Sequence, residues 1–310
     1  MKISLVICTH NRAGLLDDAI QSVLVQDYPK ELYELIVVDN ASTDHTHQTV
    51  EEFMRKYPNV RYIFESKIGL SHARNRGWEE ARGEYVGYLD DDAEASHNWL
   101  SAARDVAESV HPEAFGGPYY AFYNTPKPRW FKDEYGSNVQ GHVARPLNDN
   151  EYVSGGNMFI RRDILMQLGG FHANLGMKGK KKGYGEETNF LIRMRATVRN
   201  AVIYYDPKVF IYHLVGPEKF KPLNIISAHF VRGSQYYNLL GDDNSSRALP
   251  ALRAILIQIL NITKSLTWDI LWRDRQAYPF CYNYFYERTA IFIFGFGYQV
   301  KRLRASKKFF

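Results

Sequence analysis

Three consecutive carboxylates, Asp90, Asp91 and Asp92, directly follow the apolar run 85–89. Adjacent carboxylates repel one another, so each resists ionisation unless a positive charge lies close by. A divalent cation supplies that charge, and carboxylate oxygens are ligands that suit Mg²⁺ or Mn²⁺. The cluster therefore predicts a metal site with positions left for substrate phosphates. The alternative interpretation is a solvated acidic turn before the next helix.

Two other segments carry side chains suited to a nucleotide. Asp39 follows the apolar run 35–38 and could accept hydrogen bonds from a base or ribose. Arg74 lies in the glycine-flanked segment 69–77 and could contact phosphate. The competing interpretations are a turn aspartate and a basic residue on a capped surface helix.

Glu186 and Glu187 begin a predicted helix after the Gly/Lys-rich loop 169–185. A carboxylate beside a metal-bound phosphate could remove a proton from an incoming hydroxyl, an effect of about 10²–10⁴-fold on rate. The same two charges would also complement the helix dipole. His213 ends an apolar strand, where it could be a metal ligand or a structural residue. The lysines of 178–182 could form a lid over phosphates or a solvated loop.

The first 90 residues alternate between strand and helix periodicity, which predicts an α/β fold with a mostly parallel sheet. Ligands of such sheets bind beyond the carboxyl ends of the strands. The polar segments 9–12, 39–40 and 90–92 all follow strands and should share that edge. The predicted strands are residues 3–8, 35–38, 60–64 and 85–89, and the predicted helices are residues 13–26, 44–57 and 71–81.

Beyond residue 112 the pattern becomes irregular as far as residue 150. Apolar and aromatic helices follow residue 217, with a break predicted at 241–246. We therefore expect a catalytic domain over 1–215 and a helical, aromatic-rich appendage with a basic tail over 216–310. Between the irregular region and residue 217, the sequence predicts strands at 152–160, 201–205 and 209–213 and helices at 163–168 and 186–197.

The composition of the 310 residues, 45% hydrophobic and 24% charged, excludes a disordered or low-complexity chain. Two cysteines exclude a disulfide scaffold and favour reduced thiols in the cytoplasm. The N-terminal apolar run is too short for a signal peptide, and no segment is expected to reach the roughly 20 apolar residues of a membrane span.

The last ten positions contain five basic residues and no acidic residue, so they account for the whole net charge of +5. The remaining body is neutral, which argues against a nucleic-acid partner. The basic tail suits contact with an anionic membrane surface, or it is a solvated terminus. A cytoplasmic protein, peripheral at the inner face of the membrane, is the expectation.

Taken in order, these residues resemble the family 2 glycosyltransferases with the GT-A fold. The resemblance covers roughly residues 1–215, and the ordered set is far more specific than any one motif. The matching stretches are VICTHNR at 6–12, VVDNASTD at 37–44, GLSHARNRG at 69–77, GEYVGYLDDDA at 83–93, SGGNMFIRRDIL at 154–165, LGGF at 168–171, GEET at 185–188 and His213.

The resemblance implies a role for each matched position. Glu187 becomes the catalytic base, with Glu186 as the fallback, although the family usually has Glu-Asp here. Asp92 and His213 become metal ligands, and Asp90 contacts ribose or metal. The implied nucleotide-sugar site comprises Thr9, Asn11, Arg12, Asp39, Arg74, Asp90 and Asp91, and Gly155, Gly156 and Asn157 border the sugar and the acceptor.

The resemblance further implies a distributive, inverting glycosyltransferase that uses Mn²⁺ or Mg²⁺ and a nucleoside diphosphate sugar, with UDP-sugars favoured. The acceptor would be a glycan or a lipid-linked glycan in polysaccharide biosynthesis. A phosphatase of the haloacid dehalogenase type also uses D-x-D, but its motif follows the first strand. A catalytically silent sugar-binding module is the other alternative. A dinucleotide oxidoreductase is disfavoured because no G-x-G-x-x-G follows the first strand.

Overall fold

The computed structural model describes residues 2–179, 181–240 and 248–306. These residues form two compact units: Met1–Phe122, Gly136–Lys180 and Glu186–Leu214 make up the first, and Tyr123–Tyr135, Lys181–Gly185 and Val215–Phe310 the second. The predicted break at 241–246, the loop residue Lys180 and the last four residues of the basic tail lie outside the described residues.

The first unit is built on an eight-stranded sheet with the order β3-β2-β1-β4-β9-β6-β10-β8. Strands β1 to β4 are parallel, and β9 runs antiparallel between β4 and β6. The predicted α/β architecture with a mostly parallel sheet is confirmed. The strands are β1 Ile3–Thr9, β2 Tyr33–Asp39, β3 Val60–Phe64, β4 Tyr85–Asp90, β5 Ala93–Ala95, β6 Ala114–Gly116, β7 Tyr119–Phe122, β8 Arg145–Pro146, β9 Asn157–Arg161, β10 Ile203–Tyr205 and β11 Ile211–Leu214.

Helices cover both faces of this sheet, which is why its central strands are apolar on both sides. The buried side chains fall into one core on each face, packed around residues such as Leu5 and Trp99 on one side and Val6 and Phe190 on the other. The helices of this unit are α1 Ala13–Leu24, α2 Thr46–Lys56, α3 Leu70–Glu80, α4 Trp99–Val110, α5 Arg162–Leu168 and α6 Glu186–Thr197.

A second, three-stranded sheet has the order β5-β11-β7. Strand β5 begins three residues after β4 ends, so its partner β11 is brought close to the aspartate cluster. The irregular region expected at 112–150 thus contains three short strands. The strand expected at 152–160 starts only at Asn157, because a turn closed by a hydrogen bond from the Asn157 amide to the Ser154 carbonyl (3.0 Å) precedes it.

The second unit is helical: α7 Pro222–Leu240, α8 Ala248–Lys264, α9 Cys281–Tyr284 and α10 Ala290–Ser306. Helix α8 continues through a π-helical turn, Ser265–Asp269. The resulting helix of 22 residues is long and apolar enough to cross a membrane by length and composition, with 11% of its apolar window buried. The expectation that no segment reaches this length is wrong. Polar residues such as Arg253 and Lys264 interrupt the helix, but the mean hydropathy of its 18-residue apolar window is still 1.2.

Candidate metal and catalytic site

The polar segments that follow the strands meet at one edge of the large sheet, as predicted. The register pairs Thr9 of β1 with Asp39 of β2, and Cys8 with Asp90 of β4. Three parallel strands therefore bring an alcohol and two carboxylates to this edge, where Thr9 and Asp39 share one face of the sheet and Asp90 shares the other with Cys8. Thr9 and Asp39 are almost fully buried, whereas Asp90 is partly exposed at the mouth.

His213 joins the aspartate cluster through the small sheet. It lies opposite Ala93 in the β11–β5 pair, and the Leu214 amide donates a hydrogen bond to the Asp92 carbonyl (2.9 Å). Its Nε2 atom is 3.4 Å from Asp92 Oδ1 and 3.8 Å from Asp90 Oδ2. Ligands bound to one Mn²⁺ or Mg²⁺ at about 2.1 Å lie about 3–4 Å apart. The predicted metal-ligand set is thus assembled with suitable spacing.

The ring orientation of His213 also suits a cation. Its Nδ1 atom lies 3.1 Å from the Leu214 carbonyl oxygen, which can only accept, so Nδ1–H is the donor. In the neutral imidazole, Nε2 then carries the lone pair and faces two carboxylates. A cation between the three groups, or a proton on Nε2, would make these contacts attractive. A backbone carbonyl that fixes the second ring nitrogen is a usual feature of metal-binding histidines.

Arg12 contacts two of the three consecutive aspartates, Asp91 and Asp92. Its guanidinium donates to Asp91 Oδ1 (2.8 Å) and Asp92 Oδ2 (3.0 Å). Burial raises the pKa of Asp91 to about 6, even though the Arg12 charge opposes that shift. Asp91 is thus a buried anchor for Arg12, and Arg12 in turn fixes the side chain of Asp92.

Asp39 is held by two donors. The hydroxyl of Tyr62 donates to one carboxylate oxygen (2.8 Å) and the Ser42 amide to the other (2.8 Å). The nearby Asn11, at a positive φ of 55°, accepts from the Thr43 amide (2.7 Å). Tyr62 was not foreseen. Its place in β3, beside β2, is the signal that could have identified it.

Arg74 and Glu186 form a buried ion pair (2.7 Å) with side chains 4% and 5% exposed. The guanidinium also lies 3.6 Å from Asp90 and is flanked by the rings of Tyr88 and Phe171. The charge of Arg74 is thus directed to two carboxylates inside the protein, and its phosphate contact stays a prediction. Burial, with the neighbouring Glu187 charge, raises the pKa of Glu186 despite Arg74.

Glu187 is the more accessible of the two candidate bases. It lies in the first turn of α6 and is half-buried. Within the described part of the chain its side chain makes no hydrogen bond or ion pair. Its carboxylate is therefore available to a substrate hydroxyl, whereas one Glu186 oxygen is taken by Arg74.

Gly155 and Gly156 pack directly against charged groups of the site. A Cβ added at Gly155 would lie 2.8 Å from an Arg74 nitrogen, and one at Gly156 would lie 2.1 Å from Asp90 Oδ2. The glycine pair therefore sets the positions of Arg74 and Asp90.

Asn157 has a different role from the predicted one. Its side chain is fully buried, accepts from the Trp99 indole (2.9 Å) and donates to the carbonyls of Pro118 (3.0 Å) and Val209 (2.8 Å). The expected contact with sugar or acceptor is corrected, because no surface of this side chain is exposed.

Comparison with known proteins agrees with this geometry. Residues 4–169 match the family model described as Glycosyl transferase family 2. The glucosyl-dolichyl phosphate glucuronosyltransferase of Haloferax volcanii is 28% identical over 212 residues, which are 66% of this chain and 66% of that protein. The matched region is thus just under two thirds of that relative's own length.

Two solved structures share the fold. Staphylococcus aureus TarS 1–349 in complex with UDP-GlcNAc gives a TM-score of 0.59 at 19% identity, covering 99% of this chain and 91% of that one. The mannosyltransferase PcManGT of Pyrobaculum calidifontis, in complex with GDP-Man and Mn²⁺, gives 0.57 at 16%, covering 99% and 75%. The fold is the GT-A fold, as predicted, and the alternatives of a phosphatase and a silent binding module are not supported. The family match spans more than half of the chain, which therefore belongs to the family 2 glycosyltransferases.

Proposed function

We propose that this glycosyltransferase is metal-dependent and inverting, and that it transfers the sugar of a nucleoside diphosphate donor to a hydroxyl of a glycan or lipid-linked acceptor. The observation that carries the proposal is the cluster of Asp90, Asp92 and His213 at the carboxyl edge of the sheet. Its mixed oxygen and nitrogen donors favour Mn²⁺, with Mg²⁺ as the second choice.

The residues around the cluster would bind different parts of the donor. Asp90, Asp92 and His213 would hold the ion, which when bound acts as a Lewis acid on the diphosphate. Arg12 keeps Asp92 oriented through its 3.0 Å contact. Thr9, Asn11 and Asp39 line the adjacent edge, where the nucleoside would lie.

Glu187 is the proposed base. It removes the proton of the acceptor hydroxyl, whose oxygen attacks the anomeric carbon as the bond to the diphosphate breaks. One displacement inverts the anomeric configuration. Arg74 holds Glu186, the neighbour of the base in α6, and Asp90, a metal ligand, in place.

A lipid-linked acceptor and a UDP-sugar donor are the preferred substrates. The named relative acts on a glucosyl-dolichyl phosphate, and the TarS structure contains UDP-GlcNAc. These names describe those proteins and support the proposal by similarity. A location at the inner face of the membrane fits such an acceptor.

The experiment that tests the base is Glu187→Gln, with kcat and KM measured against donor. We expect kcat to fall by about 10²–10⁴-fold while the donor KM stays within a few-fold. Glu186→Gln is the matched control in the same helical turn. It should lower the thermal midpoint, because it weakens the buried pair with Arg74. Full turnover in Glu187→Gln, with loss only in Glu186→Gln, would transfer the role to Glu186.

A further inference from the structure

Helix α8 has one apolar face that is exposed in the described part of the chain. The residues of this face, called here the leucine stripe, are between 44% and 77% exposed. They recur at helical spacing, so they form one continuous strip along the helix. The stripe comprises Leu249, Leu252, Leu256, Ile259 and Leu260.

The opposite face of α8 is packed inside the second unit. Ala251 is fully buried, and the Ser265 hydroxyl makes a buried hydrogen bond of 2.7 Å with Thr289. Gln258 lies against Gly295 of α10, at 3.0 Å from the position of an added Cβ. Ala251, Gln258 and Ser265 thus face the interior of the second unit, and the stripe lies on the opposite, exposed side of the helix.

Aromatic and basic residues border the stripe. Trp268 and Trp272 follow it, 62% and 72% exposed, with ring centroids 5.8 Å apart. Arg253 and Lys264 lie four residues after Leu249 and Leu260 and so flank the strip along one side. Exposed indoles and basic residues beside a leucine face are typical of helices that lie in the plane of a membrane interface.

The positive charge of the chain is concentrated in the C-terminal region that contains α8. Residues 215–310 contain 14 Lys and Arg against 6 Asp and Glu, a formal charge of +8, whereas residues 1–214 carry −3. Positive charge near a leucine face complements the negative surface potential of anionic lipids. The basic tail seen in the sequence is only part of this excess.

We propose that the leucine stripe of α8, with Trp268 and Trp272, docks on the surface of an anionic lipid bilayer and lies parallel to it. This goes beyond the proposed function, since it does not depend on the metal, the donor or the base. It would hold the enzyme where a lipid-linked hydroxyl is presented.

The test uses the full chain and vesicles of phosphatidylcholine alone or mixed equally with phosphatidylglycerol. Wild type should co-sediment with the mixed vesicles, and L256E/L260E should bind them at least about 10-fold more weakly. The matched control is V143E/M166E, which places the same two charges on exposed apolar residues of the first unit, 71% and 59% exposed. The control should bind like wild type.

Two further readouts keep the result interpretable. UDP and Mn²⁺ binding should be equal in all three proteins, so a failure of the donor site is seen separately. Tryptophan emission should shift to the blue with the mixed vesicles, and W268F/W272F should remove the shift. Equal sedimentation of L256E/L260E and wild type would overturn the proposal. A wild-type dimer that L256E/L260E dissociates would also overturn it, because the stripe would then be a contact between two copies of the chain. A vesicle-bound chain that only detergent releases would overturn it as well, because that behaviour is typical of a membrane-spanning helix.

Discussion

Gly156→Ala tests the site through its tightest contact. The glycine is not in the left-handed region, so alanine is compatible with the backbone itself. The added Cβ would lie 2.1 Å from Asp90 Oδ2 and 2.6 Å from Cγ. Because a carbon and an oxygen do not approach much closer than about 3 Å without bonding, the Asp90 carboxylate must withdraw by about 1 Å.

That displacement is large compared with the tolerance of a metal site. Ligand distances stay within about 0.2 Å of their ordinary values, so a 1 Å shift removes Asp90 from coordination. We expect Mn²⁺ affinity to fall by at least about 10–100-fold, with kcat/KM falling in parallel. Asp90 is 33% exposed and can move toward solvent, so the free energy of unfolding should change little.

The assay is a titration of Mn²⁺ in the presence of UDP, with free Mn²⁺ followed by its paramagnetic resonance signal. Gly14→Ala is the matched control. This glycine lies in α1 with nothing within 4 Å of an added Cβ, and the substitution should stabilise the helix by about 0.5–1 kcal/mol. A folded Gly156→Ala protein that binds Mn²⁺ as wild type does would refute the role given to Asp90.

Two further predictions concern stability. Asn157→Ala should lower the free energy of unfolding by at least about 3 kcal/mol, measured by urea denaturation, because three buried partners lose their hydrogen bonds; an unchanged midpoint would contradict its structural role. Burial would raise the pKa of Glu34, but hydrogen bonds from Ser4, Arg61 and the Arg82 amide outweigh it and lower the pKa. This stabilisation is complete above the ordinary glutamate pKa and is lost as pH falls through the lowered value. Glu34→Gln should therefore destabilise the protein at pH 7 by about 1–2 kcal/mol and reduce the loss of stability in acid. Parallel stability curves for Glu34→Gln and wild type down to pH 3 would count against it.

The sheet edge could be predicted from the sequence because its strands are local signals. Four apolar runs, each followed by polar residues, are enough to place Thr9, Asp39 and Asp90 on one edge. His213 is more than 100 residues from Asp92, and only the pairing of β11 with the three-residue strand β5 brings it there. A strand that short has no periodicity, so the sequence pattern left His213 open between a metal ligand and a structural residue, and the resemblance favoured the ligand.

The roles of buried polar residues could not be read from the sequence. Arg74 looked like a phosphate ligand because it lies in a glycine-flanked segment. Its partner in the structure, Glu186, is 112 residues away, and its aromatic neighbours come from other elements. Asn157 was misread for the same reason, since its three partners come from three separate segments. Burial of a polar group is decided by packing between distant elements.

The most direct measurement is the location of the metal ion. A crystal grown with UDP and Mn²⁺ and measured at the manganese absorption edge should show one anomalous peak between Asp90, Asp92 and His213. The diphosphate of UDP should complete the coordination. A peak elsewhere, or bound UDP with no peak at this cluster, would contradict the proposal that these three residues hold the ion for sugar transfer.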